Sequence, residues 1–467
     1  MDNDEPLPEG SPPKRPPSKG SLPGFRDFYP EDLARRSAIF RAWRAVARRY
    51  SFVEYDGPPL EPLDLYTQKS GDEIVTQLYS FEDKGGRQVS LRPEMTPTFA
   101  RMVAARANAL PKPVRWFSLP QLFRYERAQR GRLREHFQLN VDIVGEPSEL
   151  ADAELLCVAI DIMRELGLGP DDVRAKVSDR RLLNELLAAI GVSEGQLGAT
   201  YGVLDKISRQ PHDVSREKLE AAGLVPNQVE RIMALPDVAS MDDLERDFGH
   251  VAAVKPALER FGRYLGHLHA LGVTAWVDID LSIVRGLAYY TGTVFELFDA
   301  KGELRAICGG GRYDNLLAAL GGVDLPALGF GMGDVVLGEL LKAHGLFDDV
   351  VTEGPEFWVV STVHNEPATV LSTAAALRRM GYAAEYVLNE EKLRTQKSAA
   401  QIKAAERAGA QWLVIFRDDT HAEVRPLSRE KGEEHREWPV IALQDLQDPE
   451  RGYAALAAAG VPAARDD

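Results

Sequence analysis

The strongest local concentration of charge is an arginine cluster between residues 124 and 134. Five arginines fall within these eleven residues, in a segment that separates two strand-like stretches, so they flank a turn. Planar guanidinium groups bind phosphate oxygens through paired hydrogen bonds, which makes the cluster a candidate site for a phosphorylated substrate. The same pattern is typical of a solvated hairpin loop with arginine–glutamate pairs, and the cluster alone does not decide between the two.

Four further segments place glycines or polar residues beside apolar stretches. Residues 91–97 (LRPEMTP) end a strand and begin a helix, and residues 283–296 contain an arginine followed by two adjacent tyrosines. Residues 308–314 (CGGGRYD) place three glycines before an arginine, where the backbone can approach a ligand closely. Residues 327–334 (ALGFGMGD) lead into an apolar helix. Taken singly, each is also explained by local structure, as a helix cap, a hairpin, a tight turn or a strand–helix corner.

Composition excludes several classes of protein. The chain has 467 residues, of which 44% are hydrophobic and 27% charged, which is typical of a globular protein of about three domains. The apolar runs are too short to span a bilayer. The chain has two cysteines, Cys157 and Cys308, which exclude a disulfide framework, indicate a reducing compartment and disfavour a structural zinc site.

Charge and glycine spacing narrow the function further. The net charge is −15, so any nucleic acid must be bound by a local basic patch such as the arginine cluster. The glycines do not follow the G-x-G-x-x-G spacing after a first strand, which disfavours a nicotinamide-dependent enzyme.

The elements that position these segments form an α+β pattern. Short loops between strand-like stretches indicate antiparallel pairing rather than a run of βαβ units. We predict helices over residues 31–50, 95–107 and 150–166, and strands over residues 52–55, 78–81, 89–91, 115–119, 122–125 and 137–144.

The remaining chain changes character twice. Residues 170–265 are helix-rich, which predicts an inserted helical subdomain, and strands are predicted over 275–279 and 294–298. From residue 355 to 445, strands and helices alternate, which predicts a small α/β domain with a mostly parallel sheet. Residues 1–20 are predicted to be a disordered, proline-rich tail and residues 446–467 a C-terminal tail.

Together, and in this order, the segments resemble the histidyl-tRNA synthetases, a family of class II aminoacyl-tRNA synthetases. Residues 24–28 (GFRDF) resemble the family's N-terminal signature, and the resemblance extends to about residue 445. Three more segments resemble the class II motifs: residues 56–61 the end of motif 1, residues 124–142 motif 2 and residues 329–340 motif 3. Residues 285–296 and 309–314 resemble the two histidine-specific signatures, which discriminate most strongly.

The resemblance implies a fold and a reaction. The fold is a class II catalytic domain over residues 21–345, with an antiparallel sheet flanked by helices and a helical insertion at about 170–265, followed by an anticodon-binding α/β domain over residues 355–445. The reaction is activation of L-histidine by ATP to histidyl-adenylate and pyrophosphate, followed by transfer of histidine to the 3′ end of tRNA(His). The family further implies a homodimer with no membrane association, Mg²⁺ carried by ATP, and no metal ligands assigned to the protein.

The resemblance also assigns residues. Arg124 and Arg285 are implied as catalytic residues that neutralise the α-phosphate, and Glu126 helps to place ATP. Asp142 stands where the family commonly has glutamate. The histidine pocket is implied to contain Glu94, Thr96, Arg124, Gln138, Asp142, Arg285, Tyr289 and Tyr290.

Contacts to tRNA are implied at two places. The acceptor end of tRNA is expected to meet the motif 2 loop through Gln129, Arg130, Arg132 and Arg134. The anticodon-binding domain supplies basic residues that are equally typical of a solvated helix face, namely Lys392, Arg394, Lys397, Lys403 and Arg407.

Two positions depart from the family pattern. Val336 stands where motif 3 usually has an arginine, and Ala288 replaces an aspartate before the paired tyrosines. A branch of the family that includes plant organellar enzymes shares such departures. Arg312 is our hypothesis for the residue that replaces the motif 3 arginine at ATP.

The main alternative is a non-catalytic relative of the ATP phosphoribosyltransferase regulatory-subunit type. Such a protein shares the catalytic-domain fold but lacks the anticodon-binding domain, so the alternation after residue 355 and the arginines Arg124 and Arg285 favour the ligase. We expect a cytoplasmic location, with an organelle left open by the resemblance to plant enzymes.

Overall fold

The computed structural model describes residues 20–67, 75–126, 131–283, 290–348, 350, 354–362, 367–428 and 437–464. The chain divides into two compact units, residues 1–351 and residues 352–467. Each unit buries an apolar core of its own. The predicted tail at residues 1–20 lies outside the described part of the chain except for its last residue.

A nine-stranded sheet forms the centre of the first unit. Its strand order is β1-β5-β7-β12-β11-β10-β8-β9, with β6 paired to β7. All pairs are antiparallel except the two at the edges, β1 with β5 and β8 with β9. The strands are β1 (Val53–Glu54), β5 (Val114–Ser118), β6 (Gln121–Phe123), β7 (Glu135–Val144), β8 (Val173–Asp179), β9 (Val277–Ile279), β10 (Thr293–Asp299), β11 (Cys308–Arg312) and β12 (Ala327–Gly333).

Helices pack against the central sheet. The first unit also contains a small second sheet. The second sheet is antiparallel with order β2-β4-β3, formed by β2 (Leu60–Pro62), β3 (Tyr79–Glu82) and β4 (Gln88–Leu91). The helices outside the insertion are α1 (Pro30–Arg49), α2 (Asp64–Thr67), α3 (Thr96–Arg106), α4 (Glu149–Glu165), α11 (Leu316–Gly321) and α12 (Asp334–Ala343).

Helix α1 shows how the local sequence produces these elements. Pro30 opens the helix, where its missing N–H costs nothing, and acidic residues follow in the first turn, where they favour the helix dipole. The side chains of Ile39, Trp43 and Val46 recur at helical spacing and are buried in the core.

The inserted helices run from α5 to α10. They are α5 (Arg180–Ile190), α6 (Glu194–Leu204), α7 (His212–Ala221), α8 (Pro226–Met233), α9 (Met241–Phe248) and α10 (Lys255–Ala270). The insertion begins later than predicted, because residues 173–179 form β8, which pairs along its whole length with β10.

The second unit is a mixed sheet with helices. Its order is β14-β13-β15-β16-β17, in which the first three strands are parallel and the last two antiparallel, so the predicted mostly parallel sheet is only partly matched. The strands are β13 (Phe357–Val360), β14 (Ala384–Glu385), β15 (Trp412–Phe416), β16 (His421–Pro426) and β17 (Val440–Ala442). The helices are α13 (Pro367–Arg379), α14 (Glu390–Thr395), α15 (Ser398–Ala408), α16 (Leu443–Leu446) and α17 (Pro449–Ala458).

The predicted C-terminal tail is part of this second fold. Leu456 of α17 and Val461 are buried with Phe357 in one apolar cluster, so residues 446–467 contain core positions. The predicted α+β class and the antiparallel sheet flanked by helices are confirmed. Among the described helices, none combines the length and apolarity that a membrane crossing requires.

Candidate active site

Strand β7 presents a row of polar side chains to one side of the sheet. His136, Gln138, Asn140 and Asp142 occupy alternate positions and line the cavities described below. The intervening Leu139, Val141 and Ile143 are buried in the apolar core. Because side chains alternate between the two faces of a strand, successive residues of β7 face the site and the core in turn.

Strand β12 leaves room for these side chains. Gly329 is paired with Asp142 and Gly331 with Asn140. A Cβ atom at Gly329 would collide with the Asp142 carboxylate, and one at Gly331 would collide with the Gln138 amide. These two glycines therefore permit the polar row to lie flat across the neighbouring strand.

A small cavity of about 70 Å³ lies above this floor. Six of the predicted histidine-pocket residues line this cavity, and they come from four parts of the chain. Asn140 and Tyr313 also line it, and their polar atoms were not predicted there. The predicted residues that line it are Glu94, Thr96, Arg124, Gln138, Asp142 and Tyr290.

A larger open cleft of about 1200 Å³ adjoins the small cavity. Arg124 and Gln138 line both spaces, so they stand at the junction. The Arg124 side chain donates from Nε to the Pro93 carbonyl at 2.9 Å, which fixes the root of the guanidinium. Glu126 and Arg132 also line the cleft and form an ion pair.

Burial sets the charge of two groups on the β7 row. Burial, reinforced by the Arg124 charge, lowers the pKa of His136 to about 3, so its ring is neutral near pH 7. Burial raises the pKa of Asp142 to about 7, although a hydrogen bond from Tyr313 opposes the rise.

Arg312 is the predicted ATP ligand that the structure separates from the cleft. Arg312 is 2% exposed and does not line either cavity. It donates to the Asp152 carboxylate from Nη2 at 2.8 Å and from Nε at 3.1 Å, and to the carbonyls of Glu146 and Ser148. With its donors directed inward, the hypothesis that Arg312 replaces the motif 3 arginine at ATP has no geometric support.

The predicted tRNA-contacting loop is only partly described. Arg132 lines the cleft, whereas Arg134 lies over the Tyr125 ring at 4.3 Å and donates to the Glu126 carbonyl. The remaining predicted residues of the site, namely Gln129, Arg130, Arg285 and Tyr289, lie outside the described residues.

Val336 lines the large cleft close to Gly131, where the described part of the motif 2 loop begins. A Cβ at Gly131 would lie 3.6 Å from a Val336 methyl group. An apolar side chain therefore occupies the position where the motif 3 arginine was expected.

A buried ionic link ties the N-terminal signature to the site. Arg26 donates to Glu135 at 2.7 Å and to Asp334 at 2.9 Å, and both carboxylates are almost fully buried. The Gly24 carbonyl accepts the Arg134 amide at 2.9 Å. The signature thus joins the strand that follows the arginine cluster to the start of α12.

Sequence reasoning missed several residues that line the two cavities. His136 and Asn140 carried a usable signal, because polar residues alternate with apolar ones from 136 to 143. Arg174 and Lys176 of β8, and Arg209 in the insertion, line the cleft through long-range pairing for which the local sequence gives no signal.

Comparisons of the sequence with known proteins return one family. A family model described as histidyl-tRNA synthetase matches residues 24–333. A histidine–tRNA ligase of Opitutus terrae is 44% identical over 402 residues, covering 85% of this chain and 91% of the relative. A chloroplastic/mitochondrial histidine–tRNA ligase of Arabidopsis thaliana is 42% identical over 382 residues, covering 82% of this chain and 78% of the relative.

The fold is also similar to solved structures. A histidyl-tRNA synthetase from a Nostoc species superimposes with a TM-score of 0.73 at 21% identity, covering 93% of this chain and 99% of that one. A Bacillus halodurans protein described as an ATP phosphoribosyltransferase regulatory subunit/histidyl-tRNA synthetase gives 0.68 at 22% identity, covering 86% and 99%. At these identities the likeness shows the fold alone.

Proposed function

The chain belongs to the histidyl-tRNA synthetase family, and we propose that it is a histidine–tRNA ligase. It activates L-histidine with ATP to give histidyl-adenylate and pyrophosphate, and then transfers histidine to the 3′ end of tRNA(His). The family match over residues 24–333 and the relatives at 42–44% identity support this reaction.

The observation that carries the proposal is the position of Arg124 between a small polar cavity and a large cleft. In the first step, the carboxylate of the amino acid attacks the α-phosphate, and both groups are anionic. A cation fixed at the junction of their two binding spaces reduces this repulsion and stabilises the charge that develops in the transition state. Holding both substrates in the correct orientation supplies much of the remaining acceleration.

We assign histidine to the small cavity. The buried carboxylate of Glu94 and the hydroxyl of Thr96 are suited to the α-amino group, together with Gln138. Asp142 is suited to an imidazole N–H, with Tyr290 beside it, and Arg285 and Tyr289 complete the family's pattern. A pocket that bonds the ring nitrogens rejects isosteres that lack them, because its own polar groups would be left unpaired.

ATP is assigned to the large cleft, next to Arg124 and Glu126. Among the described residues, no group of three or more His, Cys, Asp or Glu side chains is arranged to hold a metal ion. From the family resemblance, we propose that Mg²⁺ enters with ATP and is held chiefly by its phosphates, as is usual for this ion.

Transfer to tRNA is assigned to the arginine cluster and to the second unit. Arg132 and Arg134 join Gln129 and Arg130 as proposed contacts to the acceptor end, where cations release counterions from phosphates. The second unit is proposed to bind the anticodon loop.

We also propose a homodimer and a cytoplasmic location. The dimer is expected to be isologous and to involve the motif 1 region around residues 56–61. Sedimentation equilibrium at working concentration tests it, and a monomeric mass would contradict it.

The first experiment is ATP–pyrophosphate exchange with each of the twenty amino acids. Exchange that depends on histidine alone supports the adenylation step despite Val336, and charging of tRNA(His) then tests the second step. A folded protein that exchanges with no amino acid would instead support the regulatory relative.

A further inference from the structure

Besides Arg124, the large cleft is lined by basic side chains of two kinds. Some are already paired with acidic side chains, namely Arg132, Arg174 and Lys176. Arg209, Lys301 and Arg305 also line the cleft and are exposed, but their side chains form no hydrogen bond or ion pair with the described residues. The charge of these three residues is therefore available to an anionic ligand.

The backbone around Arg305 is held in place although its side chain is free. Arg305 lies in the hairpin between β10 and β11, next to Leu304, which packs against the core. The Leu304 amide donates to the buried Asp299 carboxylate at 2.9 Å. On the other side, the Ile307 amide donates to the Leu297 carbonyl at 2.8 Å. A cation on a fixed backbone loses little conformational entropy when it binds a ligand.

Arg305 is also close, along the sheet, to the position where motif 3 was expected to supply an arginine. It precedes β11 by three residues, and β11 pairs with β12 so that Cys308 lies opposite Met332. Val336 follows the end of β12 by three residues. Because the two strands are antiparallel, Arg305 and Val336 lie beyond the same end of neighbouring strands, and both line the cleft.

The two other free cations are placed less favourably for this role. Lys301 follows β10, which is one strand further from β12 than β11 is. It belongs to the turn of the hairpin, where the Gly302 amide donates to the Asp299 carbonyl at 3.0 Å. Arg209 belongs to the helical insertion rather than to the central sheet. Arg305 is thus the free cation nearest in topology to Val336.

The adenylation step needs positive charge at two places on ATP. A carboxylate oxygen of histidine forms a bond to the α-phosphorus, and the bond from that phosphorus to the bridging oxygen of the β-phosphate breaks. The electron pair of the broken bond leaves with pyrophosphate, so negative charge also grows on the terminal phosphates. Arg124 is assigned to the α-phosphate, and Val336 offers no charge to the other end.

We propose that Arg305 binds the terminal phosphates of ATP in the large cleft and supplies the positive charge that Val336 lacks. Its planar guanidinium can bond two phosphate oxygens at once. This inference rests on the proposed function and deepens it, because it names the residue that holds the part of ATP that leaves as pyrophosphate.

The first test compares the binding of ATP and AMP, each with Mg²⁺, by calorimetry in wild type and Arg305→Ala. AMP lacks the two terminal phosphates. The affinity for ATP should fall on the order of tenfold, because hydrogen bonds to a charged group are lost, and the affinity for AMP should stay within about twofold. An unchanged affinity for ATP, or an equal loss for both nucleotides, would overturn the proposal.

Lys301→Ala is the matched control, since it removes an exposed cation from the same hairpin and the same cleft. Its affinity for ATP should stay within about twofold of wild type, as a screened charge without direct contact contributes little. A loss equal to that of Arg305→Ala would show that only the overall charge of the cleft matters, and it would overturn the proposal.

Histidine-dependent pyrophosphate exchange gives the second test. In Arg305→Ala, the KM for ATP should rise on the order of tenfold while the KM for histidine stays within about twofold. A variant in which only the KM for tRNA(His) in charging rises would place Arg305 on the tRNA and overturn the proposal. Wild type that binds ATP without histidine-dependent exchange would contradict the proposed function, whereas the comparison of ATP with AMP would still decide the role of Arg305.

Discussion

Arg124 is the residue on which the proposed adenylation step depends most. Among the described residues it is the one cation that lines both the small cavity and the large cleft. Its planar guanidinium can contact two oxygens at once, whereas a lysine ammonium offers a point charge. The shape of the side chain, as well as its charge, therefore matters for holding carboxylate and phosphate together.

Replacing Arg124 with lysine tests this point. Arg124→Lys is expected to lower kcat for histidine-dependent pyrophosphate exchange on the order of 100-fold, because a transition-state contact loses its geometry. Arg115→Lys is the control, since Arg115 pairs with Glu154 at 2.6 Å and does not line the cleft. A comparable loss in the control would contradict a specific role for Arg124.

Asp142 links function to stability through its pKa. Its carboxyl has a pKa of about 7 when folded, against an ordinary value of 3.8, because it is buried. A carboxyl whose pKa is raised on folding stabilises the protein while protonated, and that contribution is lost as pH rises from about 4 through 7.

Asp142→Asn removes this titration while keeping the shape of the side chain. The advantage in stability of Asp142→Asn over wild type should grow by roughly 1–2 kcal/mol between pH 5.5 and pH 8, since each pKa unit is worth about 1.4 kcal/mol. Unfolding in denaturant at the two pH values measures it. The same variant should lose histidine-dependent exchange, and a stability difference independent of pH would contradict the argument.

At the scale of elements, the site is assembled by strands that are distant in sequence. β7 was predictable over residues 137–144 because its polar and apolar residues alternate. β8 was not, because its partner β10 lies more than a hundred residues later and the surrounding sequence is helical. A distant partner also explains why the Arg312 hypothesis found no support. The glycines beside Arg312 indicated a ligand, but Asp152 of α4 holds the Arg312 side chain in the core.

The antiparallel frame could thus be predicted from the sequence. Six of the residues named through the family resemblance line the small cavity, and their role in binding histidine stays a prediction. The width of the cleft could not be predicted, because residues of β8 and of the insertion line it. The direction in which Arg312 points also depends on a partner 160 residues away in sequence.

The ionic link through Arg26 gives a prediction about how elements are held together. Burial raises the pKa of Asp334, and the Arg26 charge opposes that rise. Arg26→Ala leaves the buried carboxylates of Asp334 and Glu135 without the cation that bridges them, so we expect a loss of about 3 kcal/mol in the free energy of unfolding. Denaturant unfolding at pH 7.5 measures it.

Arg44→Ala is the matched control for this prediction. Arg44 also bridges to a carboxylate, that of Glu54, but both side chains are about 40% exposed. The loss should stay below about 1 kcal/mol, as for other surface pairs. Equal losses in the two variants would show that the buried Arg26 link contributes no more to the free energy of unfolding than a surface pair.

At the scale of the whole molecule, four exposed cations of the second unit are candidates for binding tRNA. Lys392, Lys397, Lys403 and Arg407 of the second unit are exposed and form no ion pair among the described residues. The cleft is lined by residues of the first unit. The two steps of the reaction should therefore respond differently to changes in the second unit.

Replacing these four cations with alanine should leave pyrophosphate exchange unchanged. The KM for tRNA(His) in charging should rise on the order of tenfold, and its dependence on salt concentration should weaken, because fewer counterions are released. A variant lacking Arg417 and Arg451, which pair with acidic side chains, is the control. An unchanged KM for tRNA in the four-fold variant would contradict the proposed anticodon role.

The separate apolar cores of the two units have a consequence for how the chain melts. Each unit has its own cooperative core, so calorimetry should resolve two heat-absorption peaks rather than one, and no single melting temperature describes the chain. Histidine with a non-hydrolysable ATP analogue occupies only the unit that holds the cleft, so it should shift only one peak upward, while the other stays in place. The peak that moves reports occupancy of the site, and the stationary peak is an internal reference in the same scan.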